Sequence, residues 1–422
     1  MSKLDHSELV LLLLQIGTML VAGRLMAELA RRFRQPAVAG ELLAGILLGP
    51  SVLGHFVPAV TTSFFTMEGH VATTMDGLTK LAAILLLFIG GLEVDISTMR
   101  SQGRRSLLVS LCGTSLSFAI GYLIGGPVYH MIPGITSGGE LVFRLFIGTA
   151  MAITALPVMV RILMDLNLFR TQVGMLIIAS AMLDDVIGWV LFSVILGMIG
   201  VRGSAMPPLA TLGLTAAFSI FMLTIGKRFL TRFLPVVTAR LSWPGGLLSL
   251  VIALCFLSAA FTEAVGLHAV FGAFLVGITL GDSPYMTDRA KEIVHQFINN
   301  IFAPLFFVYI GIKLDFVAHF NLQITAMLLA GAILGKVIGA GTGALLGGNP
   351  FRISLAIGFA MTARGAMEIV LGLVALEYNI INQEVFVALV TVALVTTVTS
   401  GTCTKMVLQG IHLPIIGRIG FR

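Results

Sequence analysis

Long apolar runs, separated by short charged or Pro/Gly-rich breaks, fill almost the whole of this chain. An α-helix needs about 20 mainly apolar residues to cross a bilayer. The runs at 8–30, 36–53, 74–94, 106–128, 142–166, 172–200, 206–230, 245–265, 267–281, 293–314, 322–346, 352–376 and 384–409 predict thirteen such spans. Spans two and nine are short and glycine-rich. The expected fold class is an all-α polytopic membrane protein. No soluble domain fits between the spans, and the tail at 410–422 is too short to fold alone. The first run, SELVLLLLQIGTMLVAGRLMAELA, is longer than a signal-peptide core and follows acidic rather than basic residues. It is expected to be a retained first helix.

Composition agrees with this pattern: 57% of residues are hydrophobic, 11% are charged and the mean hydropathy is +1.02, far from a soluble domain. Cys112, Cys255 and Cys403 lie in apolar stretches without metal-ligand spacing and read as packing residues. Connections after odd-numbered spans carry Arg31, Arg32, Arg34, Arg100, Arg104, Arg105, Arg170, Lys227, Arg228, Arg232, Arg240, Arg289, Lys291 and Arg352. Connections after even-numbered spans carry almost none, Arg202 being the clear exception. The positive-inside rule then puts the N-terminus outside and the C-terminus in the cytoplasm. The net charge of +6 is thereby a topology signal, and nucleic-acid binding is the poorer reading of it.

Segments far apart in the chain echo one another. GELLAGILLGPS (40–51) and GAFLVGITLGDS (272–283) agree at seven of twelve positions, LLLFIGGLEVD (85–95) echoes LFFVYIGIKLD (305–315), and GTAMAITALPVMV (148–160) echoes GFAMTARGAMEIV (358–370). Each pair is seven spans apart, an odd number, so partners run in opposite directions through the membrane. That is an inverted-topology repeat, with repeat one at about 8–200, a connector at 206–230 and repeat two at about 245–409. Such halves suit a transporter whose site lies where discontinuous helices meet at the midplane.

Charges at mid-span mark that site. Asp184 and Asp185 stand together in span six, where inserting each charge costs roughly 2.5 kcal/mol or more. Thr154 and Pro157 sit at the centre of span five. Proline removes a donor there, so carbonyls near Ile153 and Thr154 are expected to be freed. Span twelve carries Gly365, beside Arg364, at the matching depth. Freed carbonyls, a hydroxyl and carboxylates make a hard oxygen site for a small monovalent cation. Adjacent helix residues point about 100° apart, so Asp184 and Asp185 have different neighbours. Lys336, the only charge in the middle of span eleven, needs a partner such as an aspartate. Arg364 and Glu368 are four apart on one face and pair either as part of the site or as a brace for the broken helix. Glu93 and Lys313, near span ends, read as interfacial anchors. Glu41 interrupts span two, and Glu263 and His268 lie toward the outer side.

These features together resemble the cation:proton antiporter-2 family, which includes bacterial Kef-type and NapA-type proteins. PAVAGELLAGILLGPSVLG is similar to an early family signature and MTARGAMEIVL to its late RG-x-x-E segment. FAPLFFVYIGIKLD, the adjacent aspartates and Lys336 add to the likeness, which covers nearly all thirteen spans. The resemblance implies a sodium/proton antiporter-like fold and a homodimer in the cell membrane. It also implies a mobile core of about 106–200 and 322–409 that moves like an elevator. In that frame Asp185 binds the cation or proton, the unwound Thr154 region lines the site, and Asp184 pairs with Lys336. No cofactor is implied; the transported ions are H+ with Na+ or K+, and Li+ as a further candidate. Kef-type relatives carry a nucleotide-sensing domain not found in this sequence, so regulation of that kind calls for a separate subunit.

The residues also suggest a mechanism. A carboxylate buried in the membrane can hold a proton, or release it and take a cation, and either ligand eases passage of the site. If Lys336 also gives up a proton when the cation binds, two protons exchange for one cation and transport is electrogenic. A cation channel would share the acidic midplane, but inverted repeats and broken helices favour alternating access. An organic-anion symporter on a related scaffold is opposed by two adjacent carboxylates. An intramembrane aspartyl protease, the enzymatic alternative, needs aspartates from different helices.

Overall fold

A computed structural model describes residues 5–408 except 34, 66–68, 133, 135–136, 167, 170, 200–207, 239–243, 266 and 284. The tail at 410–422 and the loop charges Arg34, Arg170, Arg202 and Arg240 lie outside the described residues. Among the described residues the regular structure is helical throughout. Ten described helical segments are long and apolar enough to cross a membrane, and they coincide with spans one to four, six to eight, ten, eleven and thirteen, span two doing so by joining Ala37–Leu48 to Leu53–Phe56. The other three predicted spans miss that mark for physical reasons. Span nine is the 13-residue helix Ala269–Gly281. Span five is split into Gly139–Ala152 and Leu156–Asp165, and span twelve into Phe351–Ala360 and Ala366–Glu377.

The chain folds into two compact units and passes between them more than once, one of the passages falling inside span seven, between Ser219 and Ile220. Unit one holds spans one to three, the second part of seven, and eight to ten. Leu12 and Met19 of span one, Ala44 of span two, Met75 of span three, and Val308 and Ile312 of span ten share one buried cluster. Span ten changes hydrogen-bond register at Ile298–Phe302, a π segment just ahead of Pro304. Proline has no N–H to donate and crowds the preceding turn, and the wider register accommodates both effects.

Two glycine crossings tie unit one together. Span two (Ala37–Leu48) meets the second half of span ten (Ala303–Lys313) at Gly45 and Gly311. A Cβ on Gly45 would lie 2.1 Å from the Val308 carbonyl oxygen, and one on Gly311 would lie 2.5 Å from that of Leu42. Span three (His70–Leu92) meets span nine in the same way. There a Cβ on Gly91 would lie 2.1 Å from the Phe274 oxygen, and one on Gly277 2.3 Å from that of Phe88. In the aligned echoes Gly45 corresponds to Gly277 and Gly91 to Gly311. Each crossing is therefore the repeat image of the other, and the inverted repeat is present in the packing as well as the sequence. Gly45→Ala is expected to lower stability by about 1–3 kcal/mol, because backbone rather than a flexible side chain must give way. Gly17→Ala, with no neighbouring atom within 4 Å of the added carbon, should leave thermal melting in detergent unlowered. Equal melting of the two variants would refute the close crossing.

Unit two holds spans four to six, the first part of seven, and eleven to thirteen. Span four (Ile96–Met131) bends at Gly103, whose φ of 48° lies outside the helical region. It packs along span eleven (Leu322–Leu346) through small residues: Gly335 against Ser117, Gly339 against Gly113 and Gly343 against Leu108. Small side chains let membrane helices approach closely where no hydrophobic force drives them together. Large apolar side chains elsewhere face outward, among them Leu13, Val21, Leu123, Leu257, Leu334 and Ile338, as lipid-covered helices require.

Candidate functional site

The breaks in spans five and twelve meet inside unit two. Span five leaves the helix after Ala152, and Ile153 (φ −76°, ψ 144°) and Ala155 (φ −79°, ψ 107°) are extended. Its second half starts at Leu156 with Pro157 in the first turn, where a missing N–H costs no intrahelical bond. The unwound residues thus precede Pro157 and include Thr154. Span twelve unwinds after Ala360 and resumes at Ala366, with Gly365 as the extended N-cap (φ −178°). The breaks hold each other, since Ala155 N–H donates to Ala363 C=O at 3.0 Å. The Thr397 hydroxyl of span thirteen donates to the Arg364 carbonyl.

A helix that stops within the membrane leaves terminal carbonyls without partners. Arg364, 1% exposed, answers that need. Its Nη1 donates to the Ala150 carbonyl and its Nη2 to that of Met151 at 2.7 Å. The same Nη1 lies 3.0 Å from Oε1 of Glu368. The Arg364–Glu368 pair therefore reaches beyond its own helix and closes the first half of span five. The guanidinium engages the carbonyls of Ala150 and Met151 at the end of that half-helix.

Asp184, Asp185 and Lys336 are all fully buried. Lys336 Nζ lies 2.5 Å from Asp184 Oδ2. Asp184 Oδ1 accepts from Ser110 Oγ at 2.6 Å and Thr114 Oγ1 at 2.9 Å, both on span four. Thr154 Oγ1 stands 3.0 Å from Asp184 Oδ2 and 3.0 Å from the Met361 carbonyl oxygen. A hydroxyl has one proton to give, so Thr154 divides it between the aspartate and the span-twelve break. Asp184 is thereby held by an ammonium and up to three hydroxyls, partners that offset the cost of burying a carboxylate. Asp185 follows it on the same helix, Gln172–Ile199, about 100° round the axis. Trp189, one turn on and 1% exposed, packs edge-to-face on Phe192 with centroids 5.9 Å apart.

Ser110 and Thr114 were not among the residues singled out from the sequence. Their signal is the run Ser106, Ser110, Thr114 and Ser117 on span four, every member buried and three or four residues apart, which reads first as a packing stripe. The remaining candidates lie elsewhere. Lys313 pairs with Asp76 at 2.6 Å inside unit one and covers the Tyr309 ring. Glu93 lies 3.8 Å from His295 Nδ1. Glu263 accepts the Ala269 N–H at the start of span nine, and His268 packs edge-on against Tyr378. Glu41, 5% exposed, belongs to unit one.

The family model described as "Sodium/hydrogen exchanger, transmembrane" matches residues 16–410. The chain is 31% identical over 407 residues to Cation/H(+) antiporter 17 of Arabidopsis thaliana, covering 94% of this chain and 48% of that protein. It is 30% identical over 403 residues to the Na(+)/H(+) antiporter NhaS4 of Synechocystis sp., covering 94% of this chain and 96% of that protein. The chain thus spans about half the length of the plant relative and nearly all of the cyanobacterial one. Its fold is similar to the structure of the sodium proton antiporter MjNhaP1 from Methanocaldococcus jannaschii, with a TM-score of 0.65 at 20% identity over 96% of this chain and 99% of that one. With the family match running from span one to the end of span thirteen, the chain belongs to the sodium/hydrogen exchanger family of transmembrane proteins.

Proposed function

We propose that this protein exchanges a monovalent cation, Na+ or K+, for protons by alternating access, with Asp185 as the exchange site. The observation that carries this reading is the buried Lys336–Asp184 ion pair beside a second fully buried carboxylate, next to two crossed helix breaks. With Asp184 and Asp185 ionised and Lys336 protonated the three groups sum to one negative charge, which attracts a proton or a monovalent cation. Names of relatives point the same way: a Na(+)/H(+) antiporter, a yeast K(+)/H(+) antiporter and a Na(+)/H(+)-K(+) antiporter. Lys336 and Arg364 are already engaged by Asp184 and Glu368, and the adjacent acidic groups disfavour an organic anion.

In this mechanism the proton-loaded state carries protonated Asp185 and the intact ion pair. An arriving cation takes the Asp185 proton's place and draws on Asp184 and the Thr154 hydroxyl oxygen. Lys336 then loses its counter-charge and releases a second proton, so two protons leave for one cation. Unit two, which contains about 106–200 and 322–409, is the moving core; unit one is the frame and the dimer face of a homodimer. The N-terminus is outside and the C-terminus cytoplasmic. The protein acts as a transporter rather than an enzyme and uses no cofactor.

The test is purified protein in liposomes with an internal pH dye under an imposed proton gradient. Sodium, potassium and lithium salts are added in turn. Cation-triggered proton release with at least one ion is expected, accompanied by a change in a voltage-sensitive dye. No release with any of the three from folded protein would overturn antiport. Release without a voltage response would remove the two-proton stoichiometry alone.

A further inference from the structure

The latter part of span seven carries a feature that ion exchange at Asp184 and Asp185 does not use. After the π segment Met222–Gly226, the helix Lys227–Thr238 reads KRFLTRFLPVVT. Leu223, Thr224, Lys227, Arg228, Thr231 and Arg232 line an open cavity of about 430 Å³. Three cations and two hydroxyls face it and no acidic side chain does. Lys227 is paired with Asp282 at the end of span nine. Arg228 and Arg232 are exposed and have no acidic partner among the described residues.

An apolar stripe runs beside this basic one. Ile225, Phe229 and Phe233 are 58%, 62% and 39% exposed, and the two phenylalanine rings stack with centroids 5.5 Å apart. Residues four apart share a helix face, so Thr224, Arg228 and Arg232 form one row and Ile225, Phe229 and Phe233 the next. A ligand satisfying both rows has an anionic oxygen-rich head and a hydrocarbon body. Arginine forks match phosphate oxygens bidentately, and clustered basic residues beside a membrane helix favour anionic headgroups.

We propose that this recess binds the headgroup of an anionic phospholipid. Arg228 and Arg232 take the phosphate, Thr224 and Thr231 supply hydroxyl donors, and the acyl chains lie along Ile225, Phe229 and Phe233. Free phosphate shares the head chemistry and lacks the chains.

The test uses the delipidated full chain in neutral detergent, melted alone and with phosphatidylglycerol, cardiolipin, phosphatidylcholine or inorganic phosphate. Phosphatidylglycerol and cardiolipin are expected to raise the melting temperature several-fold more than phosphatidylcholine, with no shift from phosphate. The Arg228→Gln/Arg232→Gln variant should melt like the parent without lipid and lose most of the anionic-lipid shift. Native mass spectra of the single Arg232→Gln variant give a second readout, fewer retained phosphatidylglycerol adducts, that stands even if the double variant folds poorly. Equal shifts from phosphatidylglycerol and phosphatidylcholine, or undiminished shifts and adducts in the variants, would overturn the assignment. A full shift from phosphate alone would make this a soluble-anion site and overturn the lipid reading.

Discussion

Asp185→Asn is expected to reduce cation-triggered proton release to background in proteoliposomes while leaving the protein folded. The amide keeps the shape of the side chain and removes both the ionisable proton and the charge that attracts a cation. Loss of one member of a buried charge interaction costs about 3 kcal/mol or more, which corresponds to roughly a hundredfold weaker cation binding. Lowered affinity alone would be overcome by raising the salt concentration. Loss of the proton site would not, and the expected outcome is a silent variant at every concentration. A variant that still releases protons on cation addition would move the exchange site away from Asp185. Asp184, already engaged by Lys336, Ser110 and Thr114, would then have to serve instead.

Lys336→Met is expected to produce the largest loss of stability of any single change at the site. It leaves Asp184 in a dry interior with only hydroxyl donors, and breaking a buried pair in this way costs about 3–5 kcal/mol. The double variant Asp184→Asn/Lys336→Met removes both charges together and should recover much of that loss, because two neutral groups of similar volume pack without an orphaned charge. Thermal melting in detergent should therefore rank the parent first, the double variant second and the single variant last. A single variant as stable as the parent would mean that the hydroxyls alone sustain the carboxylate and that the ion pair has no structural part. The pair would then matter only for transport, as a voltage response lost in both variants would show.

Much of this architecture was legible because membrane crossing imposes a length. Runs of about 20 apolar residues cannot hide, and the spans whose helices fall short, five, nine and twelve, were marked by Pro157, by a glycine-rich short run and by Gly365. That Lys336 pairs with an aspartate followed from the cost of leaving a buried charge alone, and the family resemblance pointed to Asp184. Pro157 also marked the span-five break near Ile153 and Thr154, but not what holds it: Thr154 and Ala155 bond across to span twelve, and Arg364 caps Ala150 and Met151. Those partners are some 200 residues distant and no local pattern announces them. Ser110 and Thr114 were passed over for a related reason. Hydroxyls on a small-residue helix face look the same in sequence whether they serve packing or hold a carboxylate.

The paired glycine crossings make the two halves of the chain mutually dependent. Gly45 and Gly91 come from one repeat, and the residues they rest on, Gly311 and Gly277, come from the other. Neither crossing can form within a single repeat, just as the Ala155–Ala363 bond joins one repeat to the other in unit two. Each echoing half taken alone would display two glycine-lined grooves with nothing to fill them, and each half supplies the surface that closes the other's grooves.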